Sequence, residues 1–250
     1  MKTLAVTGKG GTGKTTLTSL IIRWLSRNIS KSILAVDADS NVNLNDLLGV
    51  PLKNTAGAIR EEMKFKIHNL PGGMTKQRFL DYKIQSSLVE TPDFDLIAMG
   101  RPEGLGCYCY ANTLLRDILK TLSNNYEYMI IDNEAGMEHL SRRTTQNIDY
   151  LLIVSDLSIR GIHTAGKISR LIKELETRVK EKYLILNRVN ESIPGPVTEC
   201  IKEEGLNLIF SIPEDGDLLK TDQIGKPIWP ILEHSLAYKA IEQLMKKILQ

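Results

Sequence analysis

The sequence predicts an α/β fold, a doubly wound and mainly parallel sheet with helices on both faces. Short apolar runs alternate with helical patterns along the 250 residues. Most of these runs are bounded by polar residues, as expected for strands that a parallel sheet buries on both faces. The length suits one large α/β domain or two small ones. The chain shows no internal repeat and no low-complexity segment. We expect one domain over 1–250.

The predicted strands are short runs such as Thr3-Leu4-Ala5-Val6-Thr7, which are apolar or have high β-propensity. They span 2–7, 32–37, 94–99, 127–132, 150–155, 182–187 and 207–212. The order of strands and helices predicts that successive strands run parallel.

The predicted helices show apolar residues at helical spacing, as Leu17, Leu20 and Trp24 do in the first of them. They span 15–28, 112–123, 163–180, 195–204 and 235–249. In the last helix we expect the apolar stripe to pack on the sheet rather than on a membrane. The irregular stretch 50–93 predicts two further helices near 55–64 and 75–87, either as a functional insertion or as surface filler.

Composition sets bounds on function. Hydrophobic residues make up 42% of the chain and charged residues 25%, which suits a globular core. A net charge of +2 gives no argument for nucleic acid or membrane partners, and we expect neither. The chain enters a strand at once and has no apolar run of ~18 residues, so we expect a cytoplasmic protein. The three cysteines indicate free or metal-bound thiols rather than a disulfide framework.

The segment between the first strand and the first helix fits the phosphate-binding pattern G-x-x-x-x-G-K-[ST]. Backbone N–H groups of such a loop surround phosphate oxygens, and the helix N-terminus adds partial positive charge. Lys14 is expected to reach the β- and γ-phosphates, and the Thr15 hydroxyl to hold Mg²⁺. The predicted nucleotide-binding residues of this segment are Gly8, Lys9, Gly10, Gly11, Thr12, Gly13, Lys14, Thr15 and Thr16.

Two other interpretations of the segment remain. One is a glycine turn that arises by chance. The other is a dinucleotide-binding fingerprint, because Gly8, Gly10 and Gly13 also spell G-x-G-x-x-G and Asp37 ends the next strand. The Lys14-Thr15 pair and a second acidic strand end favour a triphosphate with magnesium.

Acidic residues follow two of the predicted strands. Asp37 and Asp39 come after one, and Asp132 ends another. Ligands of open α/β sheets lie at the carboxyl ends of strands, where carboxylates can approach a Mg²⁺–phosphate group. We therefore expect Asp132 to contact Mg²⁺ directly or through water, and Asp39 to orient or deprotonate the attacking water. Helix capping is the alternative role for either residue.

Together these residues resemble the deviant Walker-A ATPases, which include cell-division and partition ATPases, the nitrogenase iron protein and metallocenter-assembly ATPases. The resemblance rests on Lys9 in the loop, on Asp37-x-Asp39, and on Asp132-x-x-Ala-Gly136. It implies a homodimer that encloses ATP, with Lys9 crossing to the partner's nucleotide and neutralising charge in the transition state. An exposed loop lysine is the alternative.

The same resemblance assigns further segments of the chain. It implies nucleotide-sensing switches at 39–47 and 133–143. It also places Asn187 and Pro213 next to the adenine, although both are equally ordinary turn residues.

A Cys-x-Cys pair, Cys107 and Cys109, follows the third predicted strand. Two thiolates can face one soft metal, nickel or zinc, but do not complete a tetrahedral site. A two-fold dimer would supply a second pair and give four cysteines at the axis. The alternative is a pair of small buried residues, which is also the expectation for Cys200.

The cysteine pair and the segment Glu134-Ala-Gly-Met-Glu138-His139 resemble the CooC-type accessory ATPases that mature carbon monoxide dehydrogenase. This implies nickel insertion driven by ATP, with ATP/ADP, Mg²⁺ and Ni²⁺ or Zn²⁺ bound. The implied client is carbon monoxide dehydrogenase, alone or with acetyl-CoA synthase. A positioning ATPase of the cell-division or partition type and an iron–sulfur electron-transfer ATPase are the alternatives. The nitrogenase pattern also needs a cysteine after Asp132, and 133–139 contains none.

Overall fold

An eight-stranded sheet forms the centre of the structure. The computed structural model describes residues 1–66, 75–101, 108–134, 147–174, 177–190, 192–228 and 234–249. The strands are β1 (Lys2–Gly8), β2 (Ile33–Asp37), β3 (Val89–Glu90), β4 (Asp95–Ala98), β5 (Tyr128–Asp132), β6 (Asn147–Ser155), β7 (Arg178–Asn187) and β8 (Leu208–Ile212). Their order is β3-β4-β2-β5-β1-β6-β7-β8. All neighbours are parallel except β3, which runs antiparallel to β4, so the predicted mainly parallel sheet is confirmed.

Helices cover both faces of this sheet. They are α1 (Lys14–Asn28), α2 (Leu44–Leu48), α3 (Ala56–Lys66), α4 (Lys76–Ser87), α5 (Tyr108–Leu122), α6 (Ile159–Glu174), α7 (Gly195–Glu203), α8 (Gly216–Gln223) and α9 (Leu236–Leu249). One apolar cluster lies between the sheet and α1, α2 and α9, and the other lies between the sheet and α3 to α7. Residues alternate between the two clusters along β1, where Leu4 and Val6 face α1 and Ala5 faces the opposite layer.

Three elements were not predicted from the sequence: β3, α2 and α8. Each is eight residues or shorter, so hydrophobic periodicity gives little signal over its length. The segment 50–93 contains α3 and α4, close to the two helices expected there.

The predicted helix over 163–180 was wrong at both ends. The helix spans Ile159–Glu174, and β7 already begins at Arg178. Most of the first residues of β7 are charged, and Arg178 and Lys180 are exposed, because β8 pairs with β7 only from Leu184 onward. Pairing with β6, in which Val179 lies opposite Ile148, keeps this polar segment in the sheet.

The C-terminal helix α9 packs its apolar stripe inward. Ala240, Ile241, Leu244 and Met245 are buried where α9 meets α1 and β8. No helix in the described part of the chain is both long and apolar enough to cross a membrane.

The topology brings several loops to one edge of the sheet. Because β1, β2, β5, β6, β7 and β8 are parallel, the loops that follow them leave from the same edge. In open α/β sheets this edge is where ligands bind.

Candidate functional site

The glycine-rich loop connects β1 to α1 at this edge. Gly8 lies against β6: a Cβ there would come within 2.2 Å of the Val154 carbonyl oxygen. Gly13 caps α1 with φ 87° and ψ 27°, the left-handed conformation that glycine tolerates best. A Cβ on Gly13 would lie 2.5 Å from Asn187 Nδ2. These two glycines therefore allow the loop to lie close to β6 and to the end of β7.

Lys14 lies within the loop rather than in solvent, with only 8% of its surface exposed. Its Nζ donates to the Lys9 carbonyl oxygen at 3.2 Å, and Thr12 Oγ1 donates to the same oxygen at 2.9 Å. Burial lowers the pKa of Lys14, while the charges of Asp132, Asp39 and then Glu134 oppose that shift. A buried ammonium at a helix N-terminus provides the positive charge that a phosphate requires.

Asp132, at the end of β5, lies next to this lysine. Its side chain is 2% exposed, and Oδ1 accepts a hydrogen bond from Thr18 Oγ1 at 3.3 Å. Burial raises the pKa of Asp132 to about 7, against opposing effects that include the Thr15 hydroxyl and the Lys14 charge. The predicted magnesium residues Thr15 and Asp132 are thus adjacent, and both offer hard oxygen donors.

Asp37 and Asp39 have different environments although the sequence places them in one motif. Asp37 is 1% exposed and accepts backbone N–H groups from Asp39 at 3.0 Å, Asn43 at 3.0 Å and Leu44 at 2.9 Å. Burial raises its pKa to about 6, against the lowering effect of these bonds. Asp37 therefore holds the turn that follows β2, while Asp39 is half-buried and close enough to affect the Lys14 charge.

A pocket adjoins the other side of the loop. Asn187 and Pro213 both line it, together with Gly13 and Thr16. Asn187 Nδ2 donates to the Thr12 carbonyl oxygen at 2.8 Å, which ties the end of β7 to the loop. The two residues expected near a base are thus beside the loop that is expected to hold phosphates.

A larger cleft of about 760 Å³ continues from this pocket. Gly11, Lys14 and Thr15 contribute to its lining, as do residues of α2. Among the side chains of the described residues, no group of three or more His, Cys, Asp or Glu is arranged to hold a metal ion. A cation in this cleft would need phosphate and water oxygens as well, which is how Mg²⁺ is usually bound.

Four residues of this region have contacts in the structure that the sequence analysis did not predict. Thr18 bonds Asp132, and Glu134 accepts a bond from Ser40 Oγ at 3.3 Å. Arg188 lines both cavities and has φ 59°, the one positive φ of a non-glycine residue among those described. Asp215 lines the pocket and caps α8; an aspartate before Gly-Asp-Leu-Leu is a capping signal that could have identified it.

For the remaining predicted residues, the structure shows fewer contacts or does not describe the side chain. Lys9 is exposed at the loop tip. Cys107, Glu138 and His139 lie outside the described residues, as does most of the expected switch 133–143, and Cys109 falls within α5. Cys200 is buried, as expected.

Comparisons with known proteins agree with this geometry. A protein-family model described as an AAA domain matches residues 1–185. An uncharacterized ATP-binding protein of Methanocaldococcus jannaschii is 46% identical over 248 residues, covering 98% of each chain. The carbon monoxide dehydrogenase accessory protein CooC of Rhodospirillum rubrum is 29% identical over 234 residues, covering 89% of this chain and 87% of that protein.

A solved structure supports the fold. A ParA family ATPase from Chlorobium tepidum superposes with a TM-score of 0.74 at 21% sequence identity, covering 100% of this chain and 99% of that one. The family match spans most of the chain and includes the loop, Asp39 and Asp132. The chain therefore belongs to the AAA-domain family of P-loop ATPases, and its predicted resemblance to ATPases of the MinD, ParA and CooC type is confirmed.

Proposed function

We propose that residues 1–250 form one P-loop ATPase domain that acts as a metallochaperone. It forms a homodimer around ATP and a cysteine-bound metal, and delivers nickel to the cluster of carbon monoxide dehydrogenase. The observation that carries the ATPase part is the grouping of Lys14, Thr15, Asp132 and Asp39 at one edge of the sheet.

The chain's own residues account for nucleotide binding. Lys14 and the loop N–H groups bind the β- and γ-phosphates, and the pocket with Asn187 and Pro213 takes the adenine. Thr15 and Asp132 would hold Mg²⁺, which supplies charge neutralisation on the phosphates when bound. Asp39 orients the attacking water, because its half-buried carboxylate lies beside the lysine that binds the transferred phosphate.

Lys9 acts on the partner's nucleotide. Its exposure supports this role, since a side chain that reaches another subunit must leave its own loop. Its backbone carbonyl serves the chain's own loop, where it accepts from both Lys14 and Thr12. A second ammonium at the γ-phosphate would neutralise charge that develops during hydrolysis.

The metal is cargo, held by Cys107 and Cys109 of both protomers. The support is the Cys-x-Cys spacing and the similarity to CooC, whose printed name links that protein to carbon monoxide dehydrogenase. If ATP and metal both favour the closed dimer, linkage requires that each tightens binding of the other.

Metal content and oligomeric state, measured with and without a non-hydrolysable ATP analogue, test the proposal. We expect wild type to bind one nickel or zinc ion per dimer, and Cys107→Ala/Cys109→Ala to bind none. Cys200→Ala is the matched control, because that cysteine is buried against α6 and should not affect metal content. Unchanged stoichiometric binding in the double variant would refute the cysteine site.

A positioning ATPase of the ParA type is the second candidate, and the structural similarity to that class favours it. The apolar stripe of α9 is buried against the rest of the chain and is therefore not available to a membrane. ATP-dependent co-sedimentation with DNA, in protein that binds no metal, would favour this second function over the first.

A further inference from the structure

The proposed mechanism gives no role to one carboxylate whose charge acts on Lys14. Glu134 follows Asp132 by two residues, just beyond the end of β5, and is half-buried. Its Oε1 accepts a hydrogen bond from Ser40 Oγ at 3.3 Å, joining positions 94 residues apart in the chain. Glu134 therefore connects the end of β5 to the turn after β2.

That turn carries Asp39. Asp37 holds the base of the turn, because its carboxylate accepts the backbone N–H groups of Asp39 and Asn43. Asp39 Oδ1 accepts the Asn41 N–H at 2.7 Å, so its carboxylate is fixed relative to the turn itself. These bonds shape the turn, but they do not tie its tip to the strand beside it. The Ala38 N–H donates to the Asp132 carbonyl oxygen at 2.9 Å and ties the start of the turn to β5. The Ser40 bond to Glu134 adds a second tie beyond Asp39, nearer the tip.

The charges of this region favour such a connection. Lys14 is affected by the negative charges of Asp132, Asp39 and Glu134, so three carboxylates act on one ammonium. The carboxylates repel one another, and this repulsion works against the attraction between Asp39 and Lys14. The Ser40 hydroxyl donates a hydrogen bond to the Glu134 carboxylate, so the turn is bonded to a group that would otherwise only repel Asp39.

We propose that Glu134 is a positioning residue for ATP hydrolysis, which accepts the Ser40 hydrogen bond and so holds the Asp39 carboxylate beside the phosphate loop. This inference rests on the proposed role of Asp39. Glu134 acts through geometry, because its acceptor oxygen is what Ser40 requires. The nucleotide's own binding groups, Lys14 and the base pocket, do not depend on this bond.

Steady-state ATPase kinetics of Ser40→Ala, Glu134→Ala and Glu134→Gln test the proposal. Loss of the bond should lower kcat about tenfold or more in both alanine variants with little change in KM, because small displacements of a reacting group are costly. Glu134→Gln keeps an acceptor oxygen and should remain within about threefold of wild type. The double variant Ser40→Ala/Glu134→Ala should be no slower than either single variant, since both remove one interaction.

Ser86→Ala is the matched control, because it removes a serine hydroxyl bonded locally to the Lys83 carbonyl in α4. Equal loss of kcat in Glu134→Gln and Glu134→Ala, with Ser40→Ala like wild type, would overturn the proposal by showing that only the charge matters. Wild-type kcat in both alanine variants would overturn it as well.

Asp39→Asn in the same assay separates this inference from the proposed function. If Asp39→Asn is inactive while Ser40→Ala and Glu134→Ala are normal, the Ser40–Glu134 connection fails alone. If Asp39→Asn turns over normally, the role of Asp39 fails and the inference fails with it. Circular dichroism and urea midpoints show whether each variant is folded.

Discussion

Replacing Gly13 with alanine should be more damaging than the same change at Gly11, two residues earlier in the loop. Both glycines have positive φ, 87° and 78°. An L-residue in this region costs about 1–2 kcal/mol at either position. The positions differ in their surroundings, because nothing lies within 4 Å of a Cβ on Gly11, whereas Asn187 Nδ2 lies 2.5 Å from a Cβ on Gly13.

The added methyl group must displace the Asn187 amide. That amide donates to the Thr12 carbonyl at 2.8 Å, a bond worth about 0.5–1.5 kcal/mol. Gly13→Ala should therefore lower the free energy of unfolding by about 2–3 kcal/mol, roughly 1 kcal/mol more than Gly11→Ala. It should also weaken binding of a fluorescent ATP analogue, because Asn187 lines the pocket proposed for the base.

Urea denaturation of both variants, in wild-type and Asn187→Ala backgrounds, measures this difference. With Asn187 truncated, Gly13→Ala should cost no more than Gly11→Ala, because the steric conflict is gone. The reasoning is refuted if the two glycine variants are equally stable in the wild-type background, or if Asn187→Ala leaves their difference unchanged.

Three further predictions concern the carboxylates and the loop lysine. Burial raises the pKa of Asp132 from 3.8 to about 7, so the folded protein binds the carboxyl proton more tightly than the unfolded chain does. As the pH rises between these two pKa values, ionisation of this residue therefore lowers the stability of the folded protein. Asp132→Asn cannot ionise, so in urea unfolding without nucleotide its stability relative to wild type should rise as the pH increases from about 4 to about 7. A difference that stays constant over this range would contradict this. If Lys9 acts across the dimer, Lys9→Ala and Asp39→Asn should each be inactive on their own. A mixture of the two variants should recover about a quarter of wild-type turnover, because about half of the dimers are mixed and each mixed dimer has one complete site out of two. No recovery would place Lys9 in its own subunit's site. Asp215→Ala removes an acceptor for two α8 N–H groups, for the Ser235 hydroxyl and for the Ala237 N–H. The variant should lose about 2–4 kcal/mol of stability, and its KM for ATP should rise because the pocket widens. An unchanged urea midpoint would show that these bonds are dispensable.

Most of the sheet could be predicted because burial on both faces leaves a strong local signal. The residues at 33–36 are fully buried and all apolar, and only Asp37, at the end of the strand, is charged. The start of β7 could not be predicted in this way, since its charged residues are kept in the sheet by pairing with a distant strand. The short helices α2 and α8 are held largely by contacts from outside: Asp37 accepts the Leu44 N–H, and Asp215 accepts from both Leu218 and Ala237.

Some residues of the candidate site could likewise be predicted from the sequence, and others could not. Lys14 and Thr15 could be identified because a phosphate loop is a local backbone arrangement with a fixed spacing of glycines. The roles of Asp37 and Asp39 could not be separated from their spacing, since the difference is one of burial and hydrogen-bond partners. Thr18 gave no signal, because its bond to Asp132 joins a helix and a strand 114 residues apart.

By itself the sequence determined the fold class, the phosphate loop and the acidic strand ends of this protein. These depend on periodicity and on short spacings, which adjacent residues specify. Only the tertiary structure decided that Asp37 supports the turn, that Asn187 is bonded to the loop, and that Ser40 meets Glu134. Parallel pairing brings residues from distant strands to one edge of the sheet, and their burial and hydrogen bonds there depend on all of these strands at once.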